Sequence, residues 1–161
     1  RTFETTLQTS IDLAGGVPPG RTLQAVLLGG AAGGFVRADE LDIPLTFEGA
    51  RANATTLGSG VVLAFDDTVD LPAILLRIAS FFRDESCGQC VPCRVRTVRQ
   101  EEALLRIARN GHDAAATERD VLLLRDVGQA MKDASICGLG QAAWNAVESA
   151  IDRLGVLKES R

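Results

Sequence analysis

The sequence lacks any uncharged run that approaches the ~20 residues a membrane-spanning helix needs. Its first ten residues, RTFETTLQTS, also lack the apolar core of a signal peptide. A basic surplus is missing too: the net charge is −4 and the isoelectric point about 5.0, which argues against nucleic acid as a partner. We therefore expect a chain that does not span a membrane and works in the cytoplasm, including the cytoplasmic face of a membrane complex.

Histidine is nearly absent, because His112 is the only one. It lies in NGHDAAAT, a segment that reads as a loop between helices, so we expect it to face solvent rather than bind a metal. The acid pairs Asp66–Asp67 and Glu101–Glu102 are also expected to be solvated. Neither a general acid–base constellation nor a Cys–His pair emerges, so we expect no catalytic residue in this chain.

The first part of the chain, residues 1–68, has the pattern of a small α+β unit. Apolar residues at helical spacing predict a helix over Thr5–Ala14. The segments Thr22–Gly30 and Gly58–Phe65 read as strands. Between them, GGAAGG (29–34) has neither the spacing of a dinucleotide motif nor the ending of a phosphate loop, so it is predicted to be a tight glycine turn.

The second part, residues 69–161, has the pattern of four amphipathic helices joined by short loops, which suggests a helix bundle. Asp70 can cap the first helix, and Pro72 suits its first turn. The predicted apolar face of this helix consists of Leu71, Ile74, Leu75, Ile78, Phe81 and Phe82.

The other three helices are read from start signals and apolar spacing. The second is predicted over Pro92–Asn110. Thr117 and Asp120 resemble a capping box for the third. The fourth is predicted from Leu139 to Leu154, with Trp144 packed in the core or at the edge of a cofactor pocket. The apolar face of the third helix is predicted to include Leu123, Leu124, Val127, Ala130 and Met131.

Cysteine is scarce, and three of the four form C-x2-C-x2-C at Cys87, Cys90 and Cys93; the fourth is Cys137. In a chain without a secretory signal, such clusters bind metal or perform redox chemistry more often than they form disulfides. Three close thiolates and a distant one match the corners of a cubane [4Fe–4S] cluster, and Gly138 is expected to let the backbone approach closely. The alternative is structural zinc, although four-cysteine zinc sites usually use two pairs. A complete thiolate set leaves no open iron for substrate, which favours electron transfer over catalysis.

The surroundings of the cysteines suit an anionic cluster. Helices predicted to begin at Pro92 and Leu139 would direct backbone N–H groups and positive dipole ends towards it. Arg94, Arg96 and Arg99 follow the three-cysteine run and would stabilise its more reduced state. The alternative for these arginines is a solvated helix face.

The stretches ESCGQCVPCR (85–94) and ICGLG (136–140) resemble the C-terminal part of the flavoprotein subunit of NADH:quinone oxidoreductase. The same module occurs in NAD-dependent formate dehydrogenases and NAD-reducing hydrogenases. The resemblance implies one [4Fe–4S] cluster as the cofactor. Its implied ligands are Cys87, Cys90, Cys93 and Cys137.

Upstream, LLGGAAGGFV (27–36), ADELDIPL (38–45) and LGSGVVLAF (57–65) resemble the soluble-ligand-binding β-grasp domain that precedes the cluster domain in that family. The resemblance implies an incomplete β-grasp domain over residues 1–68, lacking its first strands, and a helical [4Fe–4S] domain over 69–161. It further implies FMN and NAD(H) in an adjoining domain or subunit, with a thioredoxin-like [2Fe–2S] subunit and a larger iron–sulfur subunit as partners. The implied function is the relay of electrons between the FMN and NAD(H) chemistry of the adjoining domain and these iron–sulfur subunits.

Two features depart from the family pattern. The larger FMN- and NADH-binding domain, which comes first in the family, has no matching motif here; we expect a fragment, a split subunit or part of a longer chain, without NADH-oxidising activity of its own. Respiratory members commonly read C-R-E-G after the third cysteine, whereas Arg94, Val95 and Arg96 follow Cys93, which favours a soluble relative such as a formate dehydrogenase. The competing hypothesis is a structural or docking module that holds zinc and has no redox role.

Overall fold

The computed structural model describes residues 5–110 and 113–157, and the side chain of Asn110 is not described. His112, predicted to be exposed, lies outside the described residues. The fold is α+β, and the chain divides between Val69 and Asp70 into two compact units. This division falls one residue after the boundary that the change in sequence pattern predicts.

The first unit consists of short helices and a three-stranded antiparallel sheet in the order β2-β1-β3. The predicted helix and both predicted strands are confirmed, whereas β2 and α2 were not predicted. The elements are α1 (Leu7–Leu13), β1 (Leu23–Leu28), a 3₁₀ turn (Gly30–Ala32), β2 (Gly34–Arg37), α2 (Phe47–Ala52) and β3 (Val62–Asp66).

The core of this unit lies where α1 meets the central strand. Val26 of β1 pairs with Val36 of β2 on one side and with Ala64 of β3 on the other. Alternate residues of β1 point to one face of the sheet, and those on the α1 face join a single apolar cluster. Its buried members are Leu7, Ile11, Val26, Leu28, Val36, Leu41 and Ile43.

The glycine turn after β1 has the predicted form. Gly29 and Gly30 have φ values of 94° and 74°, which favour glycine. A Cβ at Gly33 would lie 1.8 Å from the carbonyl oxygen of Leu28, so this position also excludes a side chain. The prediction of a tight glycine turn is confirmed.

The second unit is helical. Three helices are long and two are short among the residues that the structure describes: α3 (Leu71–Asp84), α4 (Val91–Asn110), α5 (Ala114–Ala134), α6 (Gly138–Ala142) and α7 (Asn145–Leu154). Helix α4 packs against both α3 and α5, and α6 contacts α4 and α5. Within the described part of the chain, no helix combines the length and apolarity needed to cross a membrane.

The start of α3 is as predicted. The Asp70 side chain accepts a hydrogen bond from the Ala73 N–H at 3.3 Å, and Pro72 occupies the first turn. Leu71, Leu75, Ile78 and Phe82 are buried as expected. The predicted apolar faces are too wide, because Phe81 on α3 is 46% exposed and Leu123 on α5 is 37% exposed.

The predicted capping box of the third helix is wrong. Asp113 caps α5 instead, accepting a hydrogen bond from the Ala116 N–H at 3.0 Å. Three alanines follow this cap, and alanine is the best helix former, so the helix begins one turn earlier. Asp120 therefore lies inside the helix, where its carboxylate accepts a hydrogen bond from Arg106 Nε at 3.0 Å.

The predicted fourth helix is divided into α6 and α7 at Ala143 and Trp144. Trp144 is 2% exposed, which confirms its predicted place in the core. It packs directly on Gly128 of α5, where an added Cβ would lie 2.2 Å from the indole ring. The carbonyl of Ala143 accepts a hydrogen bond from the buried Gln100 Nε2 at 3.0 Å, so the break is stabilised by α4.

Glu101 is not solvated as predicted. It is buried on α4 and forms an ion pair with Arg83 at the end of α3. Arg83 also pairs with Asp84 at 2.8 Å. Glu102, its neighbour on the outer side of the helix, pairs with Arg99 at 2.8 Å. The two glutamates thus have different environments, and Glu101 holds the α3 end against α4.

Candidate metal centre

The three-cysteine run lies at the junction between α3 and α4. Residues 85–90 form an irregular loop in which Gly88 has a φ of 76°, a conformation suited to glycine. Cys87 is exposed in this loop, and Cys90 is half-buried immediately before α4. Cys93 is buried in the first turn of the helix. The helix begins at Val91, one residue before the predicted start.

Cys137 lies between α5 and α6 and is exposed. Helix α5 ends at Ala134, and α6 begins at Gly138, again one residue before the predicted start. The Gln141 Nε2 group donates a hydrogen bond to the carbonyl of Ser135 at 2.9 Å. This bond holds the segment 135–137 against the start of α6.

The structure brings these two cysteine-bearing segments together. The backbone N–H of Ile136 faces the Cys90 sulfur closely enough to lower the pKa of this thiol. A Cβ built on Gly140 would lie 2.9 Å from the Cβ of Cys93 and 2.4 Å from the Oγ of Ser135. Cys90 and Cys93 therefore pack against the segment that carries Cys137, although more than 40 residues separate them in sequence.

The environment of Cys90 favours its thiolate. Its pKa lies below the ordinary value chiefly because the N–H groups of Ile136 and Cys93 hydrogen-bond to the sulfur, and the positive charge of Arg94 adds to this effect. Thiolates, not thiols, ligate metals. Backbone donors from both segments thus prepare this sulfur for a metal-bound state.

The closest approach between the two segments occurs at Gly140, and the predicted approach of the Gly138 backbone to a bound cluster stays a prediction. A Cβ at Gly138 would meet nothing within 4 Å. Gly140 is buried and would place its Cβ against Ser135 and Cys93. Within the chain itself, a methyl group would therefore fit at Gly138 and would overlap other atoms at Gly140.

Hydroxyl groups surround Cys93, and the sequence reasoning missed them. Ser86 Oγ lies 3.3 Å from Cys93 Sγ, and Thr97 Oγ1 donates to the Cys93 carbonyl at 2.9 Å. Ser135 is 5% exposed, and its Oγ has no hydrogen-bond partner among the described residues. A sequence signal was present, because Ser86 adjoins Cys87 and Ser135 lies two residues before Cys137.

The three arginines after the run have different roles. The Arg94 guanidinium donates to the Gly88 carbonyl at 3.2 Å and so closes the cysteine loop. Arg99 is paired with Glu102, which is what the solvated-face alternative predicts. Arg96 is partly exposed. Stabilisation of a reduced cluster thus stays a prediction for Arg94 and Arg96.

The donor chemistry of the residues present, four thiols on two adjacent segments, suits an iron–sulfur cluster. All four cysteines are free thiols. Gly140 adds no side-chain atom beside Cys93, where the unpartnered Ser135 hydroxyl is buried. In the described ranges, no three His, Cys, Asp or Glu side chains lie close enough together to hold a metal ion as they stand. The ligand set Cys87, Cys90, Cys93 and Cys137 therefore stays a prediction.

Known proteins provide an independent comparison. Residues 73–155 match the family described as "NADH-ubiquinone oxidoreductase-F iron-sulfur binding region". The NADP-reducing hydrogenase subunit HndC of Solidesulfovibrio fructosivorans is 33% identical over 141 residues, which are 88% of this chain and 28% of that protein. An NADH-quinone oxidoreductase subunit of Mycobacterium tuberculosis (strain ATCC 25618 / H37Rv) is 32% identical over 148 residues, 91% of this chain and 32% of that protein.

A solved structure supports the same family relationship. A crystal structure of NAD⁺-reducing [NiFe]-hydrogenase in the H₂-reduced state matches with a TM-score of 0.77 and 31% identity, over 96% of this chain and 25% of that one. The chain thus spans about a quarter to a third of the length of the relatives it matches. These relatives are of hydrogenase and NADH-quinone oxidoreductase types, so the preference for a formate dehydrogenase type is not supported. The chain belongs to the NADH-ubiquinone oxidoreductase-F iron–sulfur binding region family.

Proposed function

We propose that this chain is an electron-transfer module that carries one [4Fe–4S] cluster on Cys87, Cys90, Cys93 and Cys137. It relays electrons between FMN/NADH chemistry in an adjoining domain or subunit and other iron–sulfur subunits of an NAD-linked oxidoreductase. When bound, the cluster supplies one-electron acceptance and release. The chain works in the cytoplasm or at the cytoplasmic face of a membrane complex.

The observation that carries this proposal is the meeting of the two cysteine-bearing segments. The Ile136 N–H faces the Cys90 sulfur and lowers the pKa of this thiol, and a Cβ built on Gly140 would lie 2.9 Å from the Cβ of Cys93. A three-plus-one thiolate set held by two segments suits a cubane, because each cysteine ligates a different iron. The family match, which covers residues 73–155, supports the same cofactor.

The surface around the cysteines supports a redox partner. Val91 and Ile136, which adjoin Cys90 and Cys137, are 54% and 77% exposed. Exposed apolar side chains next to two of the cysteines would suit a protein interface if they form one continuous patch. We propose that an iron–sulfur subunit docks here, because Cys87 and Cys137 are exposed and a cluster held by them would lie near the surface. The partners are the thioredoxin-like [2Fe–2S] subunit and the larger iron–sulfur subunit.

We propose that the first unit is an incomplete β-grasp domain of the soluble-ligand-binding type. Its three-stranded sheet and α1 share one apolar core, so it is suited to act as a rigid scaffold and docking surface. FMN and NAD(H) are proposed to bind in the adjoining domain. The chain alone is accordingly expected to show no NADH:ferricyanide activity.

Iron and acid-labile sulfide analysis of anaerobically purified chain tests the proposal. We expect about four irons and four sulfides per chain, with brown absorption near ~400 nm that dithionite bleaches. Each of the substitutions Cys87→Ser, Cys90→Ser, Cys93→Ser and Cys137→Ser should lower this content. Stoichiometric zinc without sulfide or colour would overturn the redox proposal in favour of the structural alternative.

A further inference from the structure

We propose that the hydroxyl groups of Ser135 and Ser86 donate hydrogen bonds to the iron–sulfur group at Cys93 and raise its reduction potential. This inference rests on the proposed function, because it requires a cluster on the four cysteines. It assigns a tuning role to two residues that are not metal ligands.

Ser135 supplies the first observation. A buried hydroxyl without a hydrogen-bond partner is unfavourable, so such groups in native proteins call for an explanation. The Ser135 Oγ is in this position among the described residues, and the residue is 5% exposed. A Cβ built on Gly140 would lie 2.4 Å from the Ser135 Oγ and 2.9 Å from the Cys93 Cβ. The hydroxyl is therefore a close neighbour of this cysteine. A sulfide of the bound cluster would be its missing acceptor.

Ser86 supplies the second observation. Its Oγ lies 3.3 Å from Cys93 Sγ and accepts a long hydrogen bond from the Gly88 N–H at 3.4 Å. An iron-bound thiolate has no proton to donate. The Ser86–Cys93 contact must then run from the hydroxyl to the sulfur.

The direction of the effect follows from charge. Reduction adds one negative charge to the cluster, and hydrogen-bond donors stabilise the more negative state. Removing a donor should therefore lower the potential. The hydroxyl of Thr97 is a matched control, because it is buried beside the same cysteine but donates to the backbone carbonyl rather than to sulfur.

The test is a redox titration of the cluster-loaded full chain, followed by electron paramagnetic resonance. We expect Ser135→Ala and Ser86→Ala each to reduce the equilibrium constant for reduction about tenfold, which is about 59 mV for one electron. Ser135→Thr keeps the hydroxyl and should have the reduction potential of the wild type. Thr97→Val should leave it unchanged. Equal potentials in the wild type and both alanine variants, or an equal shift in Thr97→Val, would overturn the inference.

A second measurement follows the protons themselves. Electron–nuclear double resonance of the reduced wild-type cluster, compared in H₂O and D₂O, should detect exchangeable protons that couple strongly to it. The Ser86→Ala variant should show fewer of these protons. If no exchangeable proton coupling were lost in Ser86→Ala or Ser135→Ala, the proposal would be contradicted. Ser86→Ala alone suffices for this test if Ser135→Ala does not fold. A wild-type chain that holds no cluster would instead refute the proposed function, and the inference with it.

Discussion

The substitution Gly140→Ala would place a methyl group where the two cysteine-bearing segments meet. Its Cβ would lie 2.4 Å from Ser135 Oγ, 2.6 Å from Ser135 Cβ and 2.9 Å from Cys93 Cβ. Favourable carbon–carbon contacts lie at about 3.5–4.0 Å, so the overlap approaches 1 Å. The serine hydroxyl can rotate away, but the two Cβ atoms move only with their backbones.

Relief of this overlap requires the two segments to separate. Overpacking of a buried site costs about 1–3 kcal/mol, and we expect a loss of this size in the free energy of unfolding of the cluster-free chain by urea. Separation also moves Cys93 away from the Cys137 segment. Iron and sulfide per chain should therefore fall well below the wild-type value after identical reconstitution.

Gly138→Ala is the matched control, because its Cβ would meet nothing within 4 Å in the same short helix. We expect its stability and iron content to equal or slightly exceed those of the wild type, since alanine favours helices over glycine. If Gly140→Ala loaded as much iron as Gly138→Ala and unfolded at the same urea concentration, the packing argument for this site would be refuted.

Substitutions at three further positions test the helical unit, each by thermal unfolding monitored by circular dichroism. Gly128→Ala should destabilise the cluster-free chain by about 1–3 kcal/mol or prevent folding, because its Cβ would lie 2.2 Å from the Trp144 ring; an unchanged melting temperature would contradict the packing of the indole on this glycine. Glu101→Ala should cost about 1–2 kcal/mol, less than the ~3–5 kcal/mol of a fully buried pair, because its partner Arg83 is 38% exposed; a loss no larger than that of a surface substitution would show that this ion pair is not structural. Asp70→Ala should cost about 1 kcal/mol through loss of the helix cap, and Asp70→Asn, which retains a capping oxygen, should recover most of it.

Features that depend on nearby residues could be predicted from the sequence. The cap at Asp70 and the starts of α4 and α6 beside their cysteines follow from local signals, and the structure confirms them to within one residue. The spacing of the cysteines was enough to suggest a shared site, because a compact fold must bring a distant fourth ligand back. Local pattern thus predicted that the cysteine-bearing segments come together and that helices border them.

The errors arise where tertiary contacts override the local pattern. Glu101 is buried because Arg83, 18 residues earlier, lies opposite it. The last predicted helix breaks because Gln100 bonds to the Ala143 carbonyl and Gly128 accommodates the indole that follows. The role of Gly140 depends on Cys93, which lies 47 residues earlier in the chain. None of these partners is within the range of helical periodicity.

The buried Trp144 can serve as an intrinsic fluorescence probe of the cysteine site. The chain has one tryptophan and no tyrosine, so its intrinsic fluorescence comes from an indole packed between α5 and the break after α6. Only seven residue steps separate it from Cys137, so the two lie within about 25 Å of each other along any path of the chain. A chromophore that absorbs in the near ultraviolet and blue would quench this emission by energy transfer at such range. Filling of the cysteine site can thus be followed in real time, in unlabelled protein, as the loss of a single fluorescence signal.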